Sequence, residues 1–430
     1  MFTYVELFAG IGGFRSALDQ LGGICTFASE IDKFATISYR AMYDGAPELH
    51  GDITKIDASD VPDHDLLVGG FPCQAFSVAG QRKGFEDTRG TLFFEIARIA
   101  EEKKPKVMLI ENVKGLLSHD KGRTLDIMVQ TLNDIGYAVD FTVLNSKFFG
   151  VPQSRERVFI VCSRNVEPEA WSIEGNGVLT KAKRRLQTMG ARTFNFDWPK
   201  NSDVTTRLRD ILEPEVDEKY YLSEDKTLKL LGEIKSKADS VRVVGRLAQI
   251  NGHDICKRVY SAEGVAPTVP TGSSGNTMPK IAEFTVIQKT HSTTTTVKYD
   301  ETGTLQAARL DKVPQVVMPI LTPDRINKRQ NGRRAKGNDD ESFTLTAQDV
   351  HGVIIGKHPD YRIRKLTPRE CWRLQGFTDD QFDKSRSAGV SDSQLYKQAG
   401  NAVTVNVTRA IAQRLVPMIK FPEEVAEWAV

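Results

Sequence analysis

Apolar positions in the first third of the chain alternate between two periods. Tyr4 to Phe8 is a short β-prone run, and after the glycines of AGIGG the residues Phe14, Ala17, Leu18 and Leu21 recur at helical spacing. Gly22-Gly23 ends that helix, and a second run, Ile24 to Ala28, leads to the acid Glu30. Further strands are predicted at Leu66 to Val68, Val107 to Ile110, Tyr137 to Leu144 and Val158 to Cys162, with helices at Leu92 to Lys103 and Thr124 to Ile135. Alternation of this kind predicts an α/β fold built on a doubly wound sheet. Ligands bind such sheets at the carboxyl ends of the strands, and Gly10, Glu30, Asp52, Cys73 and Glu111 each follow a predicted strand.

The pattern changes after Arg157. Thr, Ser, Gly, Lys and Arg become frequent up to the segment RKLTPRECWRLQGF, Arg364 to Phe377, and β-prone stretches replace the helices. A second, largely β domain is expected there. It carries a weak repeat, EGVAPTVPT, TGTLQAA and ESFTLTAQ, each followed by a β-prone end. Beyond Phe377 the helical pattern returns, and Val403, Val407, Ile411 and Leu415 share one face.

Length allows two or three domains in 430 residues, and 40% apolar with 27% charged residues is ordinary for a globular chain. No apolar run reaches the roughly 20 residues of a bilayer span, and MFTYVELFAG lacks a basic leader, so no membrane role is expected and a cytoplasmic location is. The five cysteines are scattered with no CxxC pair, which disfavours a disulfide framework and a zinc site; no metal is expected. A net charge of +2 means that any anionic polymer must be met by local charge.

Such charge exists. DRINKRQNGRRAKG, Asp324 to Gly337, holds Arg325, Lys328, Arg329, Arg333, Arg334 and Lys336 against one acid, which suits phosphate contact better than a merely solvated face. TGSSGNTMPK is glycine-rich and brings Asn276 forward as a candidate reader of base edges. KAKRR, Lys181 to Arg185, is either a second backbone contact or a linker.

In FAGIGG the glycines follow G-x-G-G and not the dinucleotide fingerprint, yet an acid after the second strand is where a ribose hydroxyl pair is held. Glu30 and Asp52 are otherwise ordinary helix-terminal acids. Cys73 stands in GGFPCQAFSVAG, after a proline and among glycines and polar residues, where a nucleophile and a small core residue are equally good readings; Glu111 in LIENV follows an apolar strand with little structural reason to be acidic.

FAGIGG, GGFPCQAFSVAG, ENV, QSRER and QAGNAV occur in that order, and the set closely resembles the DNA cytosine-5 methyltransferases of bacterial restriction-modification systems. The resemblance spans residues 3 to 165 and 362 to 415. It implies a Rossmann-like S-adenosylmethionine-dependent methyltransferase sheet, residues 1–165 with 395–430, into which a target recognition domain, residues 166–394, is inserted. It further implies that Cys73 attacks C6 of a cytosine rotated out of double-stranded DNA, so that C5 takes the methyl of S-adenosylmethionine. Glu111 would contact the N3 and N4 edge, Arg157 the O2 edge, and Arg155 with Arg157 would supply a positive field for the thiolate. For the cofactor, Phe8, Gly10 and Gly12 would shape the pocket, Glu30 would bind the ribose, Ile31 would pack on adenine, and Asp52 and Ile53 would lie at its amino edge. Pro72, Leu92, Asn401 and Val403 would close the site. Ile31 stands where many relatives carry an aromatic, so adenine would meet apolar contact only.

The same resemblance makes SVAGQRKGFEDTR, Ser77 to Arg89, a loop closing over the flipped base, with Gln81, Arg82 and Lys83 near DNA. Thr268, Thr304 and Thr344 compete for the Thr-Leu-like recognition position. A monomer is expected, with a restriction endonuclease as functional counterpart. An RNA cytosine-5 methyltransferase and a catalytically silent DNA-binding module are the other readings; substrate competition and Cys73→Ala separate them.

Overall fold

The computed structural model describes residues 1–43, 48–71, 92–225, 341–342, 344, 351–357 and 360–420, together with short strands between 243 and 321. Its elements begin with β1 (Phe2–Leu7), α1 (Gly13–Leu18), β2 (Gly23–Ser29), α2 (Lys33–Met42), β3 (Leu49–His50), β4 (Leu66–Gly70), α3 (Leu92–Lys103) and β5 (Val107–Val113). Then come α4 (Arg123–Asp134), β6 (Ala138–Asn145), β7 (Glu156–Ser163) and α5 (Val178–Thr188). The predicted strands and helices of this third are all present, within a few residues of their expected bounds. Glu111 is a small exception, lying inside β5 and not after it.

The seven strands form one sheet in the order β3-β2-β1-β4-β5-β7-β6. Strands β1 to β5 are parallel, while β7 runs antiparallel to both β5 and β6. Strands β1, β4 and β5 are buried along most of their length, as a sheet covered on both faces requires. From β1 the chain builds outward through β2 and β3, then returns to place β4 on the other side of β1. The switch point is therefore the gap between β1 and β4, where an open α/β sheet holds its ligand.

The chain divides into two compact units, Met1–Asp217 with Lys336–His351 and Leu366–Val430, and Glu218–Ala335 with Gly352–Lys365. Residues 166–217 and 366–394, expected in the inserted domain, thus belong to the unit that carries the sheet. The physical reason is burial. Trp171 packs edge-on against Phe141 of β6, and the Asp140 carboxylate accepts hydrogen bonds from Lys183 Nζ (2.6 Å), Trp198 Nε1 (2.7 Å) and Phe196 N–H (3.0 Å). KAKRR is accordingly neither linker nor free basic patch. It lies in α5, where Lys183 faces Asp140 and Arg185 pairs with Asp126 at 2.9 Å, although Lys181 and Arg184 stay exposed.

In the second unit most described elements are strands: β8 (Val243–Arg246), β9 (Arg258–Ser261), β10 (Lys280–Ala282), β11 (Val286–Thr290), β12 (Thr293–Val297) and β13 (Val316–Leu321), then β14 (His351–Lys357) and β15 (Asp360–Lys365). β14 and β15 pair antiparallel, as do β11 and β12. The first unit resumes with α6 (Pro368–Arg373), α7 (Asp379–Ser387), α8 (Asp392–Asn401) and α9 (Val405–Lys420). Among α9's buried residues Val407, Ile411 and Leu415 join Phe2, Phe14 and Leu18 in one apolar cluster. Among the described residues no helix is long and apolar enough to cross a membrane.

Candidate functional site

A cavity of ≈ 460 Å³ opens at the carboxyl ends of β1, β2, β4 and β5. Phe8, Gly10, Glu30, Ile31, Asp52, Ile53, Leu92, Glu111, Arg155, Arg157 and Asn401 all line it, so eleven residues expected from the sequence meet in one place.

Its floor is the loop after β1. Phe8 has φ +56°, Gly10 +57° and Gly12 +75°, so three of five consecutive residues are left-handed. For phenylalanine that conformation costs on the order of 1–3 kcal/mol and survives only where neighbours over-determine it. They do so here. Ala9 N–H donates to Ser29 O (2.9 Å), Gly12 N–H to Ala9 O (2.8 Å) and Gly10 N–H to Glu30 Oε2 (2.7 Å). The other Glu30 oxygen accepts Asp32 N–H at 2.7 Å, so one carboxylate ties the turns after β1 and β2 together while facing the cavity. A side chain on Gly10 would enter open space, whereas one on Gly12 would strike the Tyr43 ring at 2.4 Å. The Tyr43 hydroxyl donates to Gly12 O (2.7 Å). Gly12 therefore shapes the loop from behind and is not part of the wall.

Ile31 is 73% exposed, and an apolar side chain left this open at a cavity rim is available to a flat apolar ligand group. Asp52 caps the turn Ile53–Lys55; its hydrogen bonds from the Thr54 hydroxyl and N–H hold its carboxyl below the usual range, and it stays an anionic hydrogen-bond acceptor.

The other wall is charged. Glu111 on β5 pairs with Gly70 of β4 in the sheet register, and its carboxylate comes so near that a side chain on Gly70 would meet Glu111 Oε2 at 3.2 Å. Arg157 Nε stands 3.1 Å from Glu111 Oε1, while its Nη1 donates to Glu156 O (2.8 Å). Burial pushes the Glu111 carboxyl above its ordinary range despite the opposing pull of Arg157 and Arg155. The next residue, Asn112, is buried, and its side-chain amide donates to Phe71 O at 2.8 Å. That bond fixes the end of β4 where the chain enters Pro72 and Cys73. Asn112 stands in the quoted ENV motif, but its amide chemistry gave no reason to assign it a task.

Arg155 lines the cavity and also reaches the segment that ends α8. Arg155 is buried, and its guanidinium donates to Gly400 O (3.3 Å) and Ala402 O (2.9 Å), clasping the QAGNAV segment. Burial, aided by Arg157, lowers it to about 9. Gln153 of the same QSRER motif donates to Leu374 O at 2.8 Å. Val403 likewise is not in the wall: it packs on α1, where a side chain on Gly13 would meet its Cγ1 at 2.6 Å. Thr344, expected as a DNA reader, donates its hydroxyl to Ser154 O beside Arg155.

Pro72, Cys73, Gln81, Arg82, Lys83, Thr268, Asn276, Thr304, Arg325, Arg329, Arg333 and Arg334 lie outside the described residues. The sequence reading missed Lys397 and Gln398, which line the cavity from α8. Gln398 opens the QAGNAV motif and Lys397 precedes it, but nothing in the sequence gave either side chain a task.

Comparison with known proteins agrees with this geometry. The family model described as C-5 cytosine-specific DNA methylase matches residues 2–417. The orphan methyltransferase M.SPBetaI of Bacillus phage SPbeta is 45% identical, covering 96% of this chain and 97% of its own. The type II methyltransferase M.HhaI of Haemophilus parahaemolyticus is 32% identical over 97% and 95%. The crystal structure of the S. pombe Dnmt2 methyltransferase superposes with a TM-score of 0.50 at 18% identity, over 98% of this chain and 99% of that one, a likeness of fold.

Proposed function

Since the chain belongs to the C-5 cytosine-specific DNA methylase family and is a DNA cytosine-5 methyltransferase, we propose that it takes its methyl from S-adenosylmethionine and gives it to a flipped-out cytosine held covalently by Cys73. The observation that carries this reading is the layout of the cavity. The strand before Glu30 and the strand bearing Glu111 are three positions apart in the sheet, about 14 Å at normal strand spacing. That span suits an extended nucleoside–amino-acid ligand. Its ribose would lie against Glu30, its adenine against Ile31 and Asp52, and its reacting end toward β4 and β5. The cavity volume lies within the range of small-molecule sites, roughly 300–1,000 Å³, and the open space at Gly10 lets the ligand approach backbone.

Bound there, S-adenosylmethionine supplies a methyl made electrophilic by its sulfonium. The protein makes C5 nucleophilic. The Cys73 thiolate forms a bond to C6, and the ring's electron pair moves toward N3 and O2, where Glu111 supplies a proton at N3 and Arg157 a cation at O2. After transfer the C5 proton leaves to a base, the N3 proton returns to the Glu111 carboxylate, the C6–S bond breaks and Cys73 departs as thiolate. Contacts of Glu111 and Arg157 with the Watson–Crick edge offset the few kcal/mol lost in unstacking the base. Arg155 serves as a positioning residue that keeps Gly400 to Ala402 in the cavity wall.

Expression in a host free of 5-methylcytosine, followed by sequencing that reports that base at single-nucleotide resolution, tests the function. One short motif modified throughout is expected; an unmodified genome with folded protein present overturns the reading. A narrower result concerns Arg155. Arg155→Lys keeps the charge but loses the fork that reaches two carbonyls. Titration calorimetry is expected to show S-adenosylmethionine binding about tenfold more weakly, the worth of a hydrogen bond or two.

A further inference from the structure

The cavity wall contributed by α8 is held from two sides, and only one of them is explained by Arg155. At the opposite end Lys397 Nζ meets Asp32 Oδ2 at 2.7 Å, and both residues line the cavity. The neighbouring Gln398 bonds to α2 twice, accepting from Ser38 Oγ (3.0 Å) and donating to Phe34 O (2.9 Å). Asp32 is more than the partner of a lysine. Its carboxylate caps α2 by accepting Phe34 and Ala35 N–H, and its own N–H donates to Glu30 Oε1 at 2.7 Å. A continuous path thus runs from α8 through Lys397 and Asp32 to the Glu30 carboxylate, and from there to Gly10.

We propose that the Lys397–Asp32 ion pair is a positioning latch for the cofactor: it locks the wall bearing Asn401 against the turn bearing Glu30 and Ile31, and so sets the affinity for S-adenosylmethionine without entering the transfer step. The inference rests on the cofactor reading above. Lys397 and Asp32 sit at the solvent side of the cavity, 45% and 31% exposed as side chains, so the latch is salt-sensitive and modest in strength. Asp32's carboxyl is held below the usual range chiefly by its bonds to Lys397 and to the α2 amides against an opposing cost of burial, so the latch is charged at neutral pH.

Asp32→Asn separates the two tasks, because asparagine caps a helix as well as aspartate does but carries no charge. Lys397→Met keeps the stem and loses the ammonium. With the full-length protein, S-adenosylmethionine binding is measured by calorimetry at low and high salt, and steady-state methylation gives KM for each substrate and kcat. Each variant is expected to bind the cofactor about 2- to 5-fold more weakly, with KM for the cofactor raised alike and kcat and KM for DNA unchanged. The double variant should be no worse than either single one, and the salt dependence of the native affinity should vanish in all three. Additive losses, unchanged cofactor affinity, or a fall in kcat at constant KM would each overturn the latch. If the native protein itself fails to bind S-adenosylmethionine while folded, the cofactor reading falls first and the latch with it.

Discussion

Cys73→Ala is expected to abolish methyl transfer, by roughly 10⁴-fold or more, while leaving binding to duplex DNA intact. Removal of a nucleophile takes away the covalent step on which every later step depends, so little remains of the catalysed route. No other cysteine within the described residues is suited to replace it. Cys25, Cys162 and Cys371 are all buried, and burial pushes each thiol up, Cys25 to about 12. Thiolate is scarce at such sites near neutral pH. Tritium transfer from labelled S-adenosylmethionine gives the rate, and a gel-shift assay gives the DNA affinity. A variant that kept its activity would exclude the Cys73 adduct. One that lost DNA binding as well would point to a part for Cys73 in recognition.

How much of this was legible in the sequence follows from the kind of signal each residue leaves. The parallel strands announce themselves because a strand buried on both faces must be a continuous apolar run, as Val107 to Ile110 is. Glycine turns and acids at strand ends are equally visible, and Gly10, Glu30, Asp52 and Glu111 do meet at one cavity. Packing partners leave no local mark. Nothing in QSRER says that Arg155 reaches Gly400 and Ala402 some 245 residues away, or that Gly12 faces Tyr43 and not a ligand. The segment 166–217 misled for the same reason. Its polar, irregular composition matches an inserted domain, and its coverage of the strands shows only in the packing of Trp171, Ala182, Leu186, Phe194 and Phe196 into the sheet's core clusters.

Glu111→Gln is expected to lower kcat about 10²- to 10⁴-fold, the usual weight of a general acid, and to change the pH dependence as well as the rate. The carboxyl is pushed up, first by burial, so it keeps its proton to higher pH than an exposed glutamate does. If the protonated form assists attack at C6 by donating to N3, native kcat declines as pH rises through that elevated pKa. Glutamine matches the side chain's size and still offers an N–H to the base, yet it has no proton to give and no titration. Its residual rate should therefore be flat over the interval in which the native rate falls. The ion pair with Arg157 supplies a control. Glutamine leaves that guanidinium, 16% exposed as a side chain, without its carboxylate, so thermal unfolding must be compared to separate lost stability from lost catalysis. Combining Glu111→Gln with Cys73→Ala makes the assignment sharper. Groups that serve one chemical step are grossly non-additive, so the double variant should be no slower than Cys73→Ala alone. An additive loss, or a native profile that climbs with pH across the same interval, would take the acid's part away from Glu111 and leave it a binding contact to the cytosine edge.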